Sequence, residues 1–386
     1  MFKRWIEIKP KKSCLILGPR RCGKTTLLKS QFPDYNYVTL DDFDALNWSK
    51  NDPKGFISQL GRRAVIDEIQ RNPELTIAAK YAIDNENAHF LMTGSSSIGL
   101  LDSTADTLAG RINLYSLPTA CWGEDEGGHT HNIFQDQITS IALVQANRKT
   151  QEAMIYGQFP EILTTAKPES KYELLINYKN TYFTRDLMQL SNIENMEGLY
   201  AIFNNLIRSI GSHLEVSNFA REAGISYPTT KKYLNTLLQS QLVFKLYGYQ
   251  YGPAKRYIKA AKSYFSDTGI IKSFNTNISE GQLLENFVLA ELEKRRKLGF
   301  IKTDRFFYYK TKAGREIDLV FESENQLYAV EIKATQNPSQ RDVKNLLEFE
   351  KQLKRPVQKY LFYSGTEYNQ INQVRLLPVA CLHRGK

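Results

Sequence analysis

An apolar run, Ser13-Cys14-Leu15-Ile16-Leu17, leads directly into Gly18-Pro19-Arg20-Arg21-Cys22-Gly23-Lys24-Thr25-Thr26. This is G-x-x-x-x-G-K-T in the context that gives it meaning: a strand, a Gly-rich turn and the start of a helix. The turn must aim consecutive backbone N–H groups at phosphate oxygens. Gly18 and Gly23 permit it because they carry no Cβ. A helix opening at Lys24 adds the positive end of its dipole. The pattern predicts an α/β nucleotide-binding module with ATP and Mg²⁺ as cofactors. Lys24 is expected to reach the β- and γ-phosphates and Thr25 to ligate Mg²⁺. Gly18, Arg21, Gly23 and Thr26 complete the expected binding loop.

Further along, Ala64-Val65-Ile66 ends in Asp67-Glu68. An acidic pair at the carboxyl end of a buried strand is costly unless it serves something. In an ATPase, Asp67 would hold the Mg²⁺ shell and Glu68 would orient the attacking water. The alternative is a strand ending in an acidic helix cap. A third strand, His89-Phe90-Leu91-Met92-Thr93, ends in Gly94-Ser95-Ser96-Ser97. Ser95, then Thr93, is the candidate γ-phosphate sensor, while Ser96 or Ser97 could simply cap a helix. Arg111 precedes another apolar strand, Ile112-Asn113-Leu114, and could contact nucleotide in cis or from a neighbouring subunit.

These segments together resemble a known family. Gly-Pro-Arg-Arg-x-Gly-Lys-Thr-Thr, Val-Ile-Asp-Glu-Ile-Gln, Leu-x-Thr-Gly-Ser-Ser-Ser and Leu-Ala-Gly-Arg look like the AAA+-like P-loop ATPases known as "ATP-binding protein". In these a P-loop module precedes a C-terminal region of unknown function. Tyr182-Phe183-Thr184-Arg185-Asp186-Leu187 resembles the start of that region. The resemblance implies ATP hydrolysis and gives Arg111 the role of finger or sensor. Cys22 replaces the usual valine of the loop, a small apolar exchange. Cys121-Trp122-Gly123-Glu124 through His131 is a second departure. Cys121, His129 and His131 are poorly spaced for a metal site, and an exposed acidic loop is the simpler expectation.

The chain has 386 residues, room for two or three domains. Its composition, 42% hydrophobic and 24% charged, excludes a mostly disordered or collagenous protein. A net charge of +10 favours a polyanionic partner such as DNA. The four cysteines show no C-x-x-C spacing, which fits a reducing compartment. No signal peptide and no stretch of about 20 apolar residues is visible, so a cytoplasmic protein without a membrane partner is expected.

Past Ile133 the spacing turns helical. Glu215 to Ser226 and Tyr227 to Ser240 form a helix-turn-helix signature across Ala223-Gly224-Ile225-Ser226. Thr229, Thr230, Lys231, Lys232 and Asn235 are expected on its exposed face. A strand at Leu242–Tyr247 and a return strand from Arg256 make a basic wing, with five Lys or Arg and no Asp or Glu between Leu242 and Ser266. DNA contacts are expected from Thr230, Lys231, Lys232, Lys255, Arg256 and Lys259. Protein contact through the same winged helix is the alternative.

The last segment carries Asp318 on one strand and Glu331-Ile332-Lys333 on the next. By the two-residue period Glu331 and Lys333 share a face. Carboxylates with a nearby lysine suit metal-assisted phosphodiester hydrolysis. With Glu285 on the preceding helix, they resemble the PD-(D/E)xK nuclease superfamily, which implies a small mixed α/β core and DNA as substrate. A degenerate, inactive copy is the alternative. Lys294-Arg295-Arg296-Lys297 is expected either as a solvated helix end or as a phosphate-facing rim.

The expected architecture is a P-loop core at 1–130, a helical region at 131–210, a winged helix at 211–265 and a nuclease-like α/β domain at 279–386. The expected function is ATP-driven remodelling, movement along or processing of DNA, by a homo-oligomer for which a hexamer is one form. Its rival is a nucleotide-dependent regulatory or scaffold protein with an inactive nuclease-like module.

Overall fold

The computed structural model describes residues 2–9, 11–95, 108–182, 187, 193–249, 261–311 and 313–386. The chain forms two compact units. One is Ile6–Thr119. The other is made of Ala120–Leu238 and Leu242–Lys386, with the residues up to Trp5.

In the N-terminal unit the apolar runs become parallel strands: β1 (Ser13–Leu17), β2 (Asn36–Thr39), β3 (Arg63–Asp67), β4 (His89–Gly94) and β5 (Ile112–Ser116). Their order is β2-β3-β4-β1-β5. Every neighbouring pair is parallel. Helices cover both faces, so the central strands are apolar on both sides. Leu15 and Leu17 pack with Phe56, Ile66, Phe90 and Met92. The alternate residues Cys14 and Ile16 pack with Leu27, Leu28, Val65 and Leu91. Helix starts are set locally. Asp42 accepts from Ala45 N, and Asp52, ahead of Pro53, accepts from Gly55 N, both at 2.9 Å. Because the strands are parallel, the carboxyl ends of β1, β3 and β4 share one edge, where α/β folds bind ligands.

In the second unit, helices Ser140–Tyr156, Pro168–Thr181 and Met196–Arg208 are followed by Val216–Ala223 and Tyr227–Gln239. Gly224 between the last two sits at φ 65°, where a glycine closes the first helix cheaply. A hairpin follows, β6 (Val243–Gly248) with β7 (Lys262–Phe265). Next come helix Glu280–Lys297 and strands β8 (Phe307–Lys310), β9 (Glu316–Ser323) and β10 (Gln326–Lys333). Helix Gln340–Leu353 leads to β11 (Val357–Tyr363), β12 (Asn369–Ile371) and β13 (Val374–Pro378). All eight strands form one sheet, β12-β13-β11-β10-β9-β8-β6-β7.

The hairpin of the 211–265 segment thus lies in the same sheet as the 279–386 segment. β6 pairs in parallel with β8 through Tyr247↔Phe307 and Gly248↔Tyr308. One apolar core runs from Trp122 through Phe203 and Leu237 to Phe287 and Leu377.

Helix Glu280–Lys297 crosses this core, and that corrects the expectation for its basic end. Lys294 is 3% and Arg295 0% exposed, so neither forms a solvated end or a phosphate-facing rim. Buried Glu291 accepts from Lys294 Nζ at 2.8 Å, Arg295 Nη1 at 2.6 Å and Trp122 N at 2.9 Å. Arg295 Nε also donates to Gly385 O at 2.8 Å. Burial alone would raise the Glu291 carboxyl, but the two cations outweigh it and hold it below the usual range. Nor is the segment after Cys121 simply an exposed acidic loop: Glu124 is buried and accepts from Arg4 Nε at 2.9 Å.

Candidate functional site

At the carboxyl edge of the N-terminal sheet the chain turns from Leu17 into helix Lys24–Gln31. Gly23 has φ 94°, a conformation that side chains resist. A Cβ on Gly18 would lie 2.0 Å from Leu117 O, so that position admits only glycine. Arg21 also takes a left-handed conformation, φ 58°. Lys24 is buried and its Nζ donates to Gly18 O at 2.9 Å and Pro19 O at 3.1 Å. The ammonium is thus held against the loop it is expected to share with phosphate. Thr26 is exposed beside it.

Strand β3 brings Asp67 to this turn. Asp67 Oδ2 accepts from Thr25 Oγ1 at 2.8 Å and from Tyr37 OH at 2.9 Å, and Oδ1 accepts from Thr93 Oγ1. A hydroxyl and a carboxylate converging at the mouth of the loop are the hard oxygen donors that Mg²⁺ takes, usually alongside water and phosphate. The donor set fits that ion.

Glu68, at φ 59°, turns away from the strand. Its Oε2 accepts from Ser95 Oγ at 2.9 Å and from Gln70 Nε2, and Gln70 Nε2 also donates to Ser95 Oγ at 3.0 Å. Burial pushes the Glu68 carboxyl up. Lys24, the two hydrogen bonds and Arg20 more than reverse this, so it lies below its usual range. The Glu68 carboxylate is thus kept ionised beside Lys24 and pinned by two polar side chains. Gln70 and Tyr37 carried no assigned role in the sequence. Gln70 stood only as the last residue of Val-Ile-Asp-Glu-Ile-Gln, and nothing local marked Tyr37.

Arg111 lies elsewhere on this unit. It precedes Ile112, which pairs with Ser13 at the amino end of β1, whereas the P-loop leaves the carboxyl end. At about 3.3 Å per residue that is roughly 13 Å away. Arg111 Nε bonds Asp84 Oδ1 at 2.7 Å near the surface. The fold therefore gathers Lys24, Thr25, Asp67, Glu68 and Ser95 but not Arg111. Ser96 and Ser97 lie outside the described residues.

In the second unit β9 and β10 bring Asp318, Glu331 and Lys333 together. Asp318 Oδ2 accepts from Ile332 N at 2.8 Å. Lys333 Nζ lies 2.8 Å from Glu331 Oε2 and 4.0 Å from Asp318 Oδ2. Glu331 is 1% exposed and its Oε1 has no hydrogen-bond partner. Burial, then Asp318, pushes the Glu331 carboxyl well above its normal range. The same two causes raise Glu285 to about 7. Glu285 Oε1 accepts from Tyr264 OH at 2.7 Å. Burial would lower the Lys333 ammonium, but Asp318 and Glu331 raise it. Among the described residues no group of three or more His, Cys, Asp or Glu is arranged to hold a metal ion. The orphaned Glu331 oxygen beside Asp318 does fit a Mg²⁺ bound through two carboxylates, a common arrangement for that ion.

The expected DNA-contacting residues are divided. Lys231, Lys232 and Asn235 are exposed on helix Tyr227–Gln239. Thr230 is not part of that face. It is fully buried, with its hydroxyl donating to Ser226 O at 3.0 Å, because it shares the helical spacing of Tyr233, Leu234 and Leu237. Lys255, Arg256 and Lys259 lie outside the described residues. Of the other basic wing residues, Lys262 is 2% exposed and ion-paired with Glu316, and Lys245 is partly buried.

Three family models match successive segments of the chain. Residues 10–124 match the AAA domain, 147–280 a domain of unknown function (DUF8612) and 280–382 a second one (DUF4143). Among curated proteins the chain is similar to the uncharacterised Rv2008c of Mycobacterium tuberculosis, with 26% identity over 84% of this chain and 71% of that one. It is also similar to the uncharacterised MJ1544 of Methanocaldococcus jannaschii, with 25% identity over 89% and 80%. Among solved structures it is similar to a Signal Transduction ATPase with Numerous Domains protein carrying a tetratricopeptide repeat sensor, from Pyrococcus horikoshii. That match has 13% identity and a TM-score of 0.22, and covers 77% of this chain and 46% of that one. Among the described residues no helix is long and apolar enough to cross a membrane.

Proposed function

We propose, from the premise that the N-terminal unit is a P-loop ATPase-family domain of the AAA type, that this protein hydrolyses ATP and uses the cycle to process DNA. The observation that carries the ATPase reading is the convergence of Thr25, Asp67, Glu68 and Ser95 at the mouth of the Lys24 loop. Lys24 and the loop N–H groups would hold the β- and γ-phosphates. Thr25 and Asp67 would hold Mg²⁺, which supplies neutralisation of phosphate charge. Glu68, ionised and fixed by Ser95 and Gln70, orients a water toward the γ-phosphate. Ser95, touching Glu68 directly, couples that carboxylate to the phosphate's presence. Arg111, on the opposite edge of the sheet, serves a neighbouring copy as a finger in a homo-oligomer.

The DNA part rests on the net charge of +10, on exposed Lys231 and Lys232, and on the Asp318–Glu331–Lys333 cluster. Phosphate recognition by lysines on one helix and a carboxylate–lysine cluster suited to phosphodiester chemistry fit one substrate class. A second reading, a nucleotide-dependent switch whose C-terminal cluster does not cut, is favoured by Lys333, whose ammonium already occupies Glu331 Oε2 at 2.8 Å. The test is ATPase turnover with and without single-stranded, duplex and branched DNA, with Mg²⁺ or Mn²⁺ and a gel readout of cleavage. DNA-stimulated turnover supports the proposal. Turnover indifferent to every DNA supports the switch.

A further inference from the structure

The carboxyl edge of the N-terminal sheet carries a pair of arginines that have no role in the nucleotide site as described so far. Arg20 belongs to the loop itself, between Pro19 and Arg21. Its Nη2 lies 3.4 Å from Asp41 Oδ2. Arg71, just past Glu68, places its Nε on the other oxygen of the same carboxylate. Asp41 arrives there because the chain leaving β2 turns across the end of β3. Leu40 N donates to Asp67 O at 3.0 Å, and Asp41 N donates to Thr39 Oγ1 at 3.1 Å. Arg71 N donates to Glu68 O at 3.0 Å and closes the turn on its own side. Three segments of the edge therefore meet on one carboxylate.

Two guanidiniums share that single negative charge, so the triad keeps a net positive charge at the mouth of the loop. The Arg20 contact is long for a charge-assisted hydrogen bond, which normally spans about 2.7–2.9 Å. Arg20 also acts beyond Asp41. Burial raises the Glu68 carboxyl, but Lys24, the Gln70 and Ser95 hydrogen bonds and then Arg20 bring it down. Arg20 thus stands within electrostatic reach of the carboxylate proposed to orient the attacking water, and so of the phosphate which that water would attack. The two carbonyls before it, Gly18 O and Pro19 O, are held by Lys24 Nζ. The backbone that leads into Arg20 is therefore tied to the lysine of the phosphate loop. Arg111, at the opposite edge of the sheet, leaves the recognition of a protomer's own nucleotide to groups on this edge.

We propose that Arg20 is the residue that recognises the γ-phosphate of the protomer's own nucleotide, and that Arg71 positions it by holding Asp41. This deepens the ATPase reading and rests on it. A guanidinium carries five N–H donors in a planar fork, so Arg20 can keep Asp41 on one edge and present another to phosphate oxygens. ADP lacks the group that would be recognised, so Arg20 separates the two nucleotides.

The test is titration of the full chain, with Mg²⁺, by fluorescent ADP and by a fluorescent β,γ-imido analogue of ATP. R20A should lower the ratio of triphosphate to diphosphate affinity by about tenfold or more, as expected for losing a charged hydrogen bond. R20K keeps the charge without the fork and should lose part of the ratio, and it decides the matter if R20A does not fold. R71A should lower the same ratio severalfold, R71K should restore part of it, and R71A should add nothing in an R20A background. An unchanged ratio in R20A and R20K, or an equal loss of both nucleotides, would overturn the assignment of Arg20 while leaving the ATPase reading intact. Additive effects of R71A and R20A would overturn the positioning role of Arg71. Wild-type protein that binds neither nucleotide would remove the ATPase reading and this proposal with it.

Discussion

Thr25 Oγ1 donates a 2.8 Å hydrogen bond to Asp67 Oδ2, joining the first turn of the P-loop helix to the tip of a strand 42 residues on. Tyr37 reaches the same carboxylate oxygen and Thr93 the other. Asp67 is therefore oriented by three hydroxyls from three different segments. Such preorganisation is what positions a group for ion binding without movement at the moment of reaction.

Glu68 supplies the first prediction. E68Q keeps the shape and the Ser95 contact but loses the charge. Nucleotide affinity should be retained while turnover falls by roughly 10²-fold or more, as expected for losing a water-orienting group. S95A should lower kcat by about tenfold and leave KM nearly unchanged, because Ser95 acts through Glu68. Steady-state turnover with fluorescent-nucleotide titration reads both; full activity in E68Q would remove the hydrolytic assignment.

For Arg111 the expected effect depends on concentration. Since it sits at the edge opposite the P-loop, R111A should bind ATP normally yet turn over slowly where wild type assembles. Mixing R111A with E68Q should restore part of the rate, since some sites then pair an intact Glu68 with an intact Arg111. A rate per protomer independent of concentration, with no complementation, would exclude a finger acting between copies.

At the C-terminal cluster, Mn²⁺ or Mg²⁺ should raise the melting temperature of the nucleotide-free protein, because a bound ion stabilises the state that binds it. D318N should lose most of that gain and keep ATP turnover. The whole chain is required. A fragment beginning near Ser279 would strip β8 of its partner β6 and expose a sheet edge. Equal metal-induced shifts in wild type and D318N would mark the cluster as inert.

Glu291 is the counter-charge for two fully buried cations. E291Q leaves Lys294 and Arg295 without it and should cost about 3 kcal/mol or more, the scale for breaking a buried pair from one side. Urea denaturation monitored by circular dichroism reads the loss. A change under about 1 kcal/mol would mean water or Asp267 takes over.

The pH dependence combines two opposed slopes. All five histidines are held below the usual imidazole range, with burial the leading cause for each. A histidine kept neutral in the fold takes up its proton more readily when unfolded. Stability should therefore fall as pH drops below about 6.5 and be flat above it. Glu285 acts in the other direction. Its folded value of about 7 means the fold binds the extra proton, so its contribution is lost as pH rises from about 4.3 toward 7. In melting curves across pH 5 to 7.5, H131Q should flatten the rise with pH and E285Q should steepen it.

What the sequence determined by itself was chemistry carried by neighbours along the chain. Gly18 to Thr25 read as a P-loop because the glycines and the lysine of the pattern sit within one turn. Asp67-Glu68 and Ser95 end up beside it because parallel strands present their carboxyl ends on one edge. Asp318, Glu331 and Lys333 were legible from the two-residue period of strands that pair in a hairpin. Tertiary structure decided everything that depends on which surface is covered. Helical spacing placed Lys294 and Arg295 at a helix end, but only Glu291, the Ala120 carbonyl and the Gly385 carbonyl make their burial affordable. The same holds for Thr230, hidden by packing, for Arg111, set at the wrong edge to reach its own P-loop, and for Tyr37 and Gln70, whose roles exist only once Asp67 and Glu68 are beside them. A residue's spacing fixes its direction from the backbone. Its environment is fixed by segments that arrive from elsewhere, and the energetics of charge and burial belong to the environment.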